Sequence, residues 1–124
     1  MDFIATNDAP KAIGPYSQAV SWQRILYTSG QIALDPATGE IVPGDFAAQA
    51  RRVFDNLAAV LREAGSDFSR VLKATVYLTD LANFQTLNAI YAERFGDHKP
   101  ARTTVQVSAL PKGSAVEIDL IALK

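Results

Sequence analysis

The chain has no cysteine and a single histidine, His98, among its 124 residues. Without cysteine it cannot form a disulfide, a thiolate metal site or a cysteine nucleophile. One histidine also argues against a histidine-based zinc site or a Ser-His-Asp triad. We therefore expect a function that requires neither a metal ion nor another cofactor.

The chain also lacks a strong charge of one sign and a long apolar run. Its 12 basic and 13 acidic residues give a net charge of −1, which does not favour nucleic acid or an anionic membrane as a partner. No stretch approaches the ~20 apolar residues that span a bilayer. The start, Met1–Asp8, has no secretion-signal pattern. We expect a cytoplasmic protein with one domain over residues 1–124.

Hydrophobic periodicity predicts two helices. The first covers Phe46–Ala64, with Asp45 as its N-cap and Gly65 as its end. Its apolar residues recur at spacings of three and four, which makes one stripe: Phe46, Ala50, Val53, Leu57, Leu61 and Ala64. The second helix begins near Asp80 or Asn83 and ends at Gly96. Its apolar side carries Phe84, Leu87, Tyr91 and Phe95.

Five strands are predicted around these helices, after an irregular arm marked by Pro10 and Gly14-Pro15. They are Ser17–Trp22, Ile25–Gln31, Val71–Leu78, Thr103–Val107 and Ala115–Leu123. The first two form a hairpin around Gln23-Arg24. The order β-β-α-β-α-β-β predicts an α+β fold, a sheet with two helices on one face.

Side-chain alternation assigns each strand residue to one of two sheet faces. The apolar sets are expected under the helices: Leu72, Ala74, Val76, Leu78, Thr103, Val105, Val107, Val116, Ile118, Leu120 and Ala122. The other face then holds Lys73, Thr75, Tyr77, Arg102, Thr104, Gln106, Glu117, Asp119 and Ile121. This second face could be left in water, or it could line a subunit interface that contains ligand sites.

Arg102 and Glu117 are the candidate chemical groups, since each lies in a stretch that otherwise indicates buried strand. A charge in such a place is costly unless it is paired or used on a ligand. The guanidinium of Arg102 suits a carboxylate, and the carboxylate of Glu117 can transfer a proton. The two could also form a structural salt bridge.

Short motifs along the whole chain resemble the Rid family of reactive-intermediate deaminases, also called the YjgF or L-PSP ribonuclease family. Their joint order is far more specific than any one of them. The motifs are Asn7–Pro10, Ile13–Gln18, Thr28–Ile32, Gln49–Arg51, Asp55–Leu57, Ala64-Gly65, Val76–Leu81, Asn88, Pro100–Arg102, Leu110–Gly113 and Glu117-Ile118.

This resemblance implies a chorismate-mutase-like subunit that forms a homotrimer with active sites between subunits. It implies hydrolysis of 2-imino acids, which arise from the enamines released by pyridoxal-phosphate-dependent dehydratases, to 2-keto acids and ammonia. Arg102 would hold the substrate carboxylate, and Glu117 would activate water and manage protons. The other positions that match the family pocket are Tyr16, Ser29, Gly30 and Asn88.

One position departs from the pattern of many relatives, which have a cysteine two residues after the matching arginine. Thr104 stands there in this chain, and it offers a hydroxyl in place of a thiol. Its side chain should share the sheet face of Arg102 and reach the pocket wall. Two other functions stay open: a non-enzymatic trimer that binds small carboxylates or acts as a chaperone, and an endoribonuclease, against which the charge balance argues.

Overall fold

The computed structural model describes residues 1–124 as one seven-stranded sheet with two helices packed on one face. The strands are β1 (Asp2–Ile4), β2 (Ala19–Trp22), β3 (Ile25–Thr28), β4 (Gln31–Ile32), β5 (Val71–Leu78), β6 (Ala101–Gln106) and β7 (Val116–Leu123). The helices are α1 (Phe46–Glu63) and α2 (Phe84–Phe95). The predicted α+β fold is confirmed, and the predicted β-β-α-β-α-β-β order recurs with two additional short strands, β1 and β4.

The sheet order is β1-β2-β3-β7-β5-β6, with β4 paired to β7 beside β3. Only β5 and β6 run parallel, and every other pairing is antiparallel. The sequence did not predict β1, which is only three residues long and obtains its hydrogen bonds from β2. Because β5 lies between β6 and β7, the strands of Arg102 and Glu117 are not neighbours.

The ends of the elements follow the expected local chemistry. The Asp45 side chain accepts a hydrogen bond from the Ala48 N–H and caps α1, and Gly96 ends α2 with φ +61°. The β2–β3 hairpin turns at Gln23 with φ +54°, so it does without the glycine that such turns favour. No helix of the chain is both long enough and apolar enough to cross a bilayer.

The core lies between the helices and the sheet and centres on α1. Its largest buried side chains come from both layers: Phe54, Leu57, Leu61, Leu87, Ile90, Leu26, Leu78, Ile118 and Leu120. Within α1 the buried face is wider than the predicted stripe, because Phe54 and Val60 are buried too. Asn56 is buried among them, and its amide nitrogen donates to the carbonyl oxygens of Ile32 and Leu34.

The predicted face assignment is wrong for β6. Arg102 and Thr104 pair with Ala74 and Val76, which are fully buried under the helices, so this side of β6 faces α2. Thr103 and Val105 lie on the opposite, open face. Arg102 is tolerated under α2 because that helix supplies Asn88 and two aromatic rings, whereas the Thr104 hydroxyl finds no hydrogen-bond partner there.

The predicted position of Leu72 on the helix-facing side is also wrong. A β-bulge between Val71 and Lys73 shifts the alternation, so Val71 is buried and Leu72 is 44% exposed. From Lys73 onward the prediction for β5 holds, with Lys73, Thr75 and Tyr77 on the open face. That face is less polar than expected, since Phe3, Trp22 and Tyr27 contribute large exposed apolar groups.

Candidate active site

Glu117 lies in a cleft of about 310 Å³ between the N-terminal arm, β4 and β7. Its lining contains four of the predicted site residues and six others: Tyr16, Ser29, Gly30 and Glu117, with Pro10, Lys11, Gln31, Ile32, Leu34 and Pro111. We call this group the Glu117 half-site. It brings together residues from the arm, the β3–β4 connection and β7.

A glycine is needed at position 30 because there is no room for a side chain beside Glu117, and not because of its backbone conformation. A Cβ on residue 30 would lie 2.6 Å from Glu117 Oε2 and 2.7 Å from its carboxyl carbon. Such contacts are far inside van der Waals distance. The carboxylate of Glu117 can therefore lie against the β3–β4 connection only because residue 30 has no side chain.

The arm that covers this half-site is fixed by Gln18, which is buried. The side-chain amide of Gln18 accepts from the Thr6 N–H at 2.7 Å and donates to the Pro10 carbonyl at 2.7 Å. Ser29 is fixed as well, since its hydroxyl donates to the Ser17 carbonyl at 2.5 Å. Tyr16 is 54% exposed at the rim of the cleft.

The electrostatics of this half-site increase the proton affinity of Glu117. Burial raises the pKa of the Glu117 carboxyl, and the charge of Asp119 raises it further. No cation within the chain opposes this, because none of the four ion pairs includes Glu117. Burial also raises the pKa of Asp119, whereas a hydrogen bond from Tyr77 and the charge of Lys73 act in the opposite direction.

Arg102 occupies a second group of residues, on the helix-facing side of β6. Its Nη1 donates to Asn88 Oδ1 of α2 at 2.8 Å. The guanidinium carbon lies 4.8 Å from the centre of the Tyr91 ring and 5.5 Å from that of Phe84. These distances are within cation–π range. Arg102, Asn88, Thr104, Phe84 and Tyr91 form what we call the Arg102 half-site.

Two hydroxyl groups in the Arg102 half-site are buried without a hydrogen-bond partner, Tyr91 OH and Thr104 Oγ1. A buried hydroxyl without a partner is destabilising, so such groups call for an explanation. Thr104 lies two residues from Arg102 on the same side of β6, as predicted.

The predicted site residues thus form two groups on opposite faces of one sheet. Tyr16, Ser29, Gly30 and Glu117 form one, and Asn88, Arg102 and Thr104 form the other. Their functional roles stay predictions. Sequence reasoning missed Phe84 and Tyr91 as neighbours of Arg102, although their spacing of four and three residues from Asn88 was a usable signal.

No cluster of three or more His, Cys, Asp or Glu side chains is arranged to hold a metal ion. The single histidine is half-buried, and its Nε2 lies 2.6 Å from the Val71 carbonyl oxygen. His98 therefore connects the segment after α2 to the bulged start of β5.

Comparison with known proteins identifies the family to which the chain belongs. The family model described as Endoribonuclease L-PSP matches residues 6–124. Protein DfrA of Myxococcus xanthus is 57% identical over 122 residues, which is 97% of this chain and 93% of that protein. The 2-iminobutanoate/2-iminopropanoate deaminase of Bos taurus is 50% identical over 121 residues, covering 98% of this chain and 88% of the enzyme.

Solved structures agree over the full chain. A putative endoribonuclease from Thermotoga maritima superposes with a TM-score of 0.98 at 46% identity, covering 100% of this chain and 98% of that one. TdcF of E. coli with bound serine superposes with a TM-score of 0.94 at 42% identity, covering 100% and 99%. Relatives of this fold therefore include a named deaminase and a protein that binds a small amino acid.

Proposed function

The chain belongs to the endoribonuclease L-PSP family, which includes the Rid proteins, and we propose that it hydrolyses reactive 2-imino acids to 2-keto acids and ammonia. In this proposal the substrates are 2-iminopropanoate and 2-iminobutanoate, derived from enamines that pyridoxal-phosphate-dependent dehydratases release. The enzyme would protect the cell from these reactive compounds. It is a deaminase that acts on a C–N bond.

The observation that carries this proposal is the state of Arg102. Its guanidinium is oriented by Asn88 and by two aromatic rings, yet no carboxylate of the chain pairs with it. A half-buried cation without an acidic partner is suited to receive an anion from outside the chain. The planar fork of an arginine suits the 2-carboxylate that every 2-imino acid carries.

Glu117 supplies the proton chemistry in this proposal. An iminium carbon is already electrophilic, so water can attack it once a base accepts a proton. The water oxygen bonds to C2 as the C=N π electron pair moves onto the nitrogen, and Glu117 takes a water proton. Glu117 then gives that proton to the nitrogen, the C–N bond breaks, and the remaining hydroxyl loses its proton to Glu117 as the C=O bond forms. The departing ammonia takes up this proton as ammonium.

The two half-sites must come from different copies of the chain in this proposal. Arg102 and Glu117 project from opposite faces of one sheet, so one substrate cannot contact both within a single chain. A homotrimer with sites between subunits would join the Arg102 half-site of one copy to the Glu117 half-site of the next. The exposed apolar residues on the open face, among them Trp22 and Tyr27, support burial of that face against a partner.

The test is the release of keto acid from freshly generated 2-iminopropanoate, with and without the protein. Wild-type protein is expected to accelerate the release. Glu117→Gln keeps the size of the side chain but removes the base, so we expect turnover to fall by ~10²-fold or more. Binding of the stable keto acid 2-oxobutanoate should persist, because Arg102 is unchanged.

The matched control is Glu63→Gln, which makes the same substitution at an exposed position near the end of α1. It should hydrolyse the imine at the wild-type rate. Wild-type protein that binds the keto acid without accelerating hydrolysis would instead support a trimer that only binds small carboxylates. Undiminished hydrolysis by Glu117→Gln would remove Glu117 from the mechanism.

A further inference from the structure

A second carboxylate lies next to Glu117, and the reaction outlined above does not use it. Glu117 and Asp119 are two residues apart on β7 and point to the same open face. Residues at this spacing on a strand are about 6–7 Å apart along the chain. Both side chains are half-buried, so their charges are less screened than on an exposed surface.

Burial raises the pKa of Asp119, and β5 holds this carboxyl in place and opposes that shift. The hydroxyl of Tyr77 donates to Asp119 Oδ2 at 3.1 Å, and the positive charge of Lys73 acts on the same carboxyl. Tyr77 is directly opposite Glu117 in the β5–β7 register, and Thr75 is opposite Asp119. The hydrogen bond of Tyr77 therefore runs diagonally and leaves the facing carboxylate of Glu117 without a donor.

Glu117 itself has no group in the chain that holds it as a carboxylate. It makes no ion pair, and only burial and Asp119 act on its proton affinity. The titratable groups around it are Tyr77 on β5, Asp119 on β7, and Tyr16 and Lys11 of the arm across the cleft. Lys112, nearby in sequence, donates to the Gly39 carbonyl instead.

We propose that Asp119, fixed by the Tyr77 hydroxyl, is a positioning residue whose negative charge keeps Glu117 able to take up and return a proton during imine hydrolysis. This inference rests on the proposed function. A carboxylate of ordinary acidity accepts a proton from water poorly at neutral pH, and proton transfer is most efficient when the proton affinity is close to the working pH.

A site formed from the Arg102 half-site of one copy and the Glu117 half-site of another gives a reason for a second carboxylate next to Glu117. Arg102 of a neighbouring copy, and the iminium substrate itself, would bring positive charge near Glu117. Positive charge stabilises a carboxylate and lowers its pKa. The charge of Asp119 opposes this effect, and Asp119 lies outside the cleft lining, so it does so without contacting the substrate.

The test measures the protonation of Glu117 directly. Side-chain carboxyl carbons labelled with ¹³C are followed by NMR as the pH is varied, in wild-type protein and in Asp119→Asn. Glu117→Gln identifies the Glu117 signal by its disappearance. Burial raises the pKa of Glu117 and the charge of Asp119 raises it further, so Asp119→Asn should move the Glu117 midpoint to lower pH.

The pH dependence of activity is a second measurement of the effect of Asp119→Asn on Glu117. If Glu117 must be deprotonated to accept the water proton, kcat/KM rises with pH through the Glu117 midpoint. In Asp119→Asn this acid limb should move to lower pH together with the NMR midpoint. Asp97→Asn is the matched control, an exposed aspartate in the turn after α2, and it should leave both midpoints in place.

An unchanged Glu117 midpoint in folded Asp119→Asn overturns the proposal. Should that variant fail to fold, Tyr77→Phe tests it instead. Loss of the Tyr77 hydrogen bond should move the Asp119 midpoint to higher pH, and an unmoved midpoint overturns the proposal too. Because NMR does not depend on turnover, a protein that shows the Glu117 shift but hydrolyses no imine refutes the proposed function and not the coupling.

Discussion

Arg102 and Glu117 are prepared by the fold in different ways. Arg102 is held mechanically: a hydrogen bond to Asn88 and two aromatic faces restrict a flexible side chain. If Arg102 binds a carboxylate as proposed, less entropy would then be lost on binding. Glu117 is held by space and tuned by charge, through the absence of a side chain at Gly30 and the presence of Asp119. The orientation of one and the proton affinity of the other are therefore separable by mutation.

Removing the Thr104 hydroxyl is expected to affect stability and activity in opposite directions. This buried hydroxyl has no partner within the chain, so Thr104→Val should not lower the free energy of unfolding of the unliganded protein and is expected to raise it by about 1 kcal/mol or less. If that hydroxyl contacts the bound substrate, kcat/KM should fall by up to about tenfold, because one hydrogen bond contributes ~0.5–1.5 kcal/mol. Urea unfolding and the imine assay measure the two effects.

Thr103→Val is the control for this prediction. Thr103 is the adjacent residue, but it is exposed on the open face of β6. We expect it to leave imine hydrolysis unchanged. A Thr104→Val protein that is clearly less stable than wild type would mean that the hydroxyl has a structural partner in the assembled protein.

The elements were predictable where one physical signal dominates. Both helices and the five longer strands follow from apolar periodicity and from Asp45, Gly65 and Gly96 at the helix ends. Alternation alone could not show which face of β6 lies under the helices. The polar side chain of Arg102 can lie on the helix-facing side because Asn88 accepts its hydrogen bond and aromatic rings pack against its guanidinium. The bulge at Val71 breaks the two-residue period, and no residue type in that segment signals it.

The sequence motifs supply a set of candidate site residues but not their arrangement in space. The motifs identified Arg102 and Glu117, and local chemistry explains both choices. Their positions relative to each other depend on the strand order, which places β5 between β6 and β7. Such long-range pairing is decided by the packing of the whole sheet, and a local pattern contains no information about it.

The contact between β7 and the β3–β4 connection gives a prediction for Gly30→Ala. The added Cβ would lie 2.6 Å from Glu117 Oε2, so either the carboxylate turns away or β4 moves from β7. We expect loss of most imine hydrolysis, with a cost in stability of ~1–3 kcal/mol from overpacking. The imine assay and urea unfolding measure both.

Gly39→Ala is the comparison for this change. Its φ of +73° strains any other residue, but no atom lies within 4 Å of the added Cβ. It should cost stability while leaving turnover intact. Gly30→Ala with full activity would show that Glu117 does not need its present position against the β3–β4 connection.

At the scale of the whole molecule, the open sheet face is the surface through which we expect the chain to assemble. Trp22 is 57% exposed, Phe3 70% and Tyr27 47%, all on the face that carries Glu117 and Asp119. Apolar groups of this size beside half-buried carboxylates are typical of a surface that another chain covers. We therefore expect light scattering to give about three times the chain mass of 13.4 kDa, in keeping with the proposed cyclic trimer.

Mixing two inactive variants tests where each site is built. Arg102→Ala and Glu117→Gln are expected to be inactive alone, but a trimer that contains both has one interface where an intact Arg102 meets an intact Glu117. Random assembly from equal amounts puts both variants into about three-quarters of the trimers, each with one working site of three, so about a quarter of wild-type activity should return on co-expression. A chain with both substitutions, co-expressed with Arg102→Ala, cannot form such an interface and should stay inactive. Mixed trimers verified by native mass spectrometry that recover no activity would mean that the Arg102 and Glu117 half-sites do not meet between neighbouring copies.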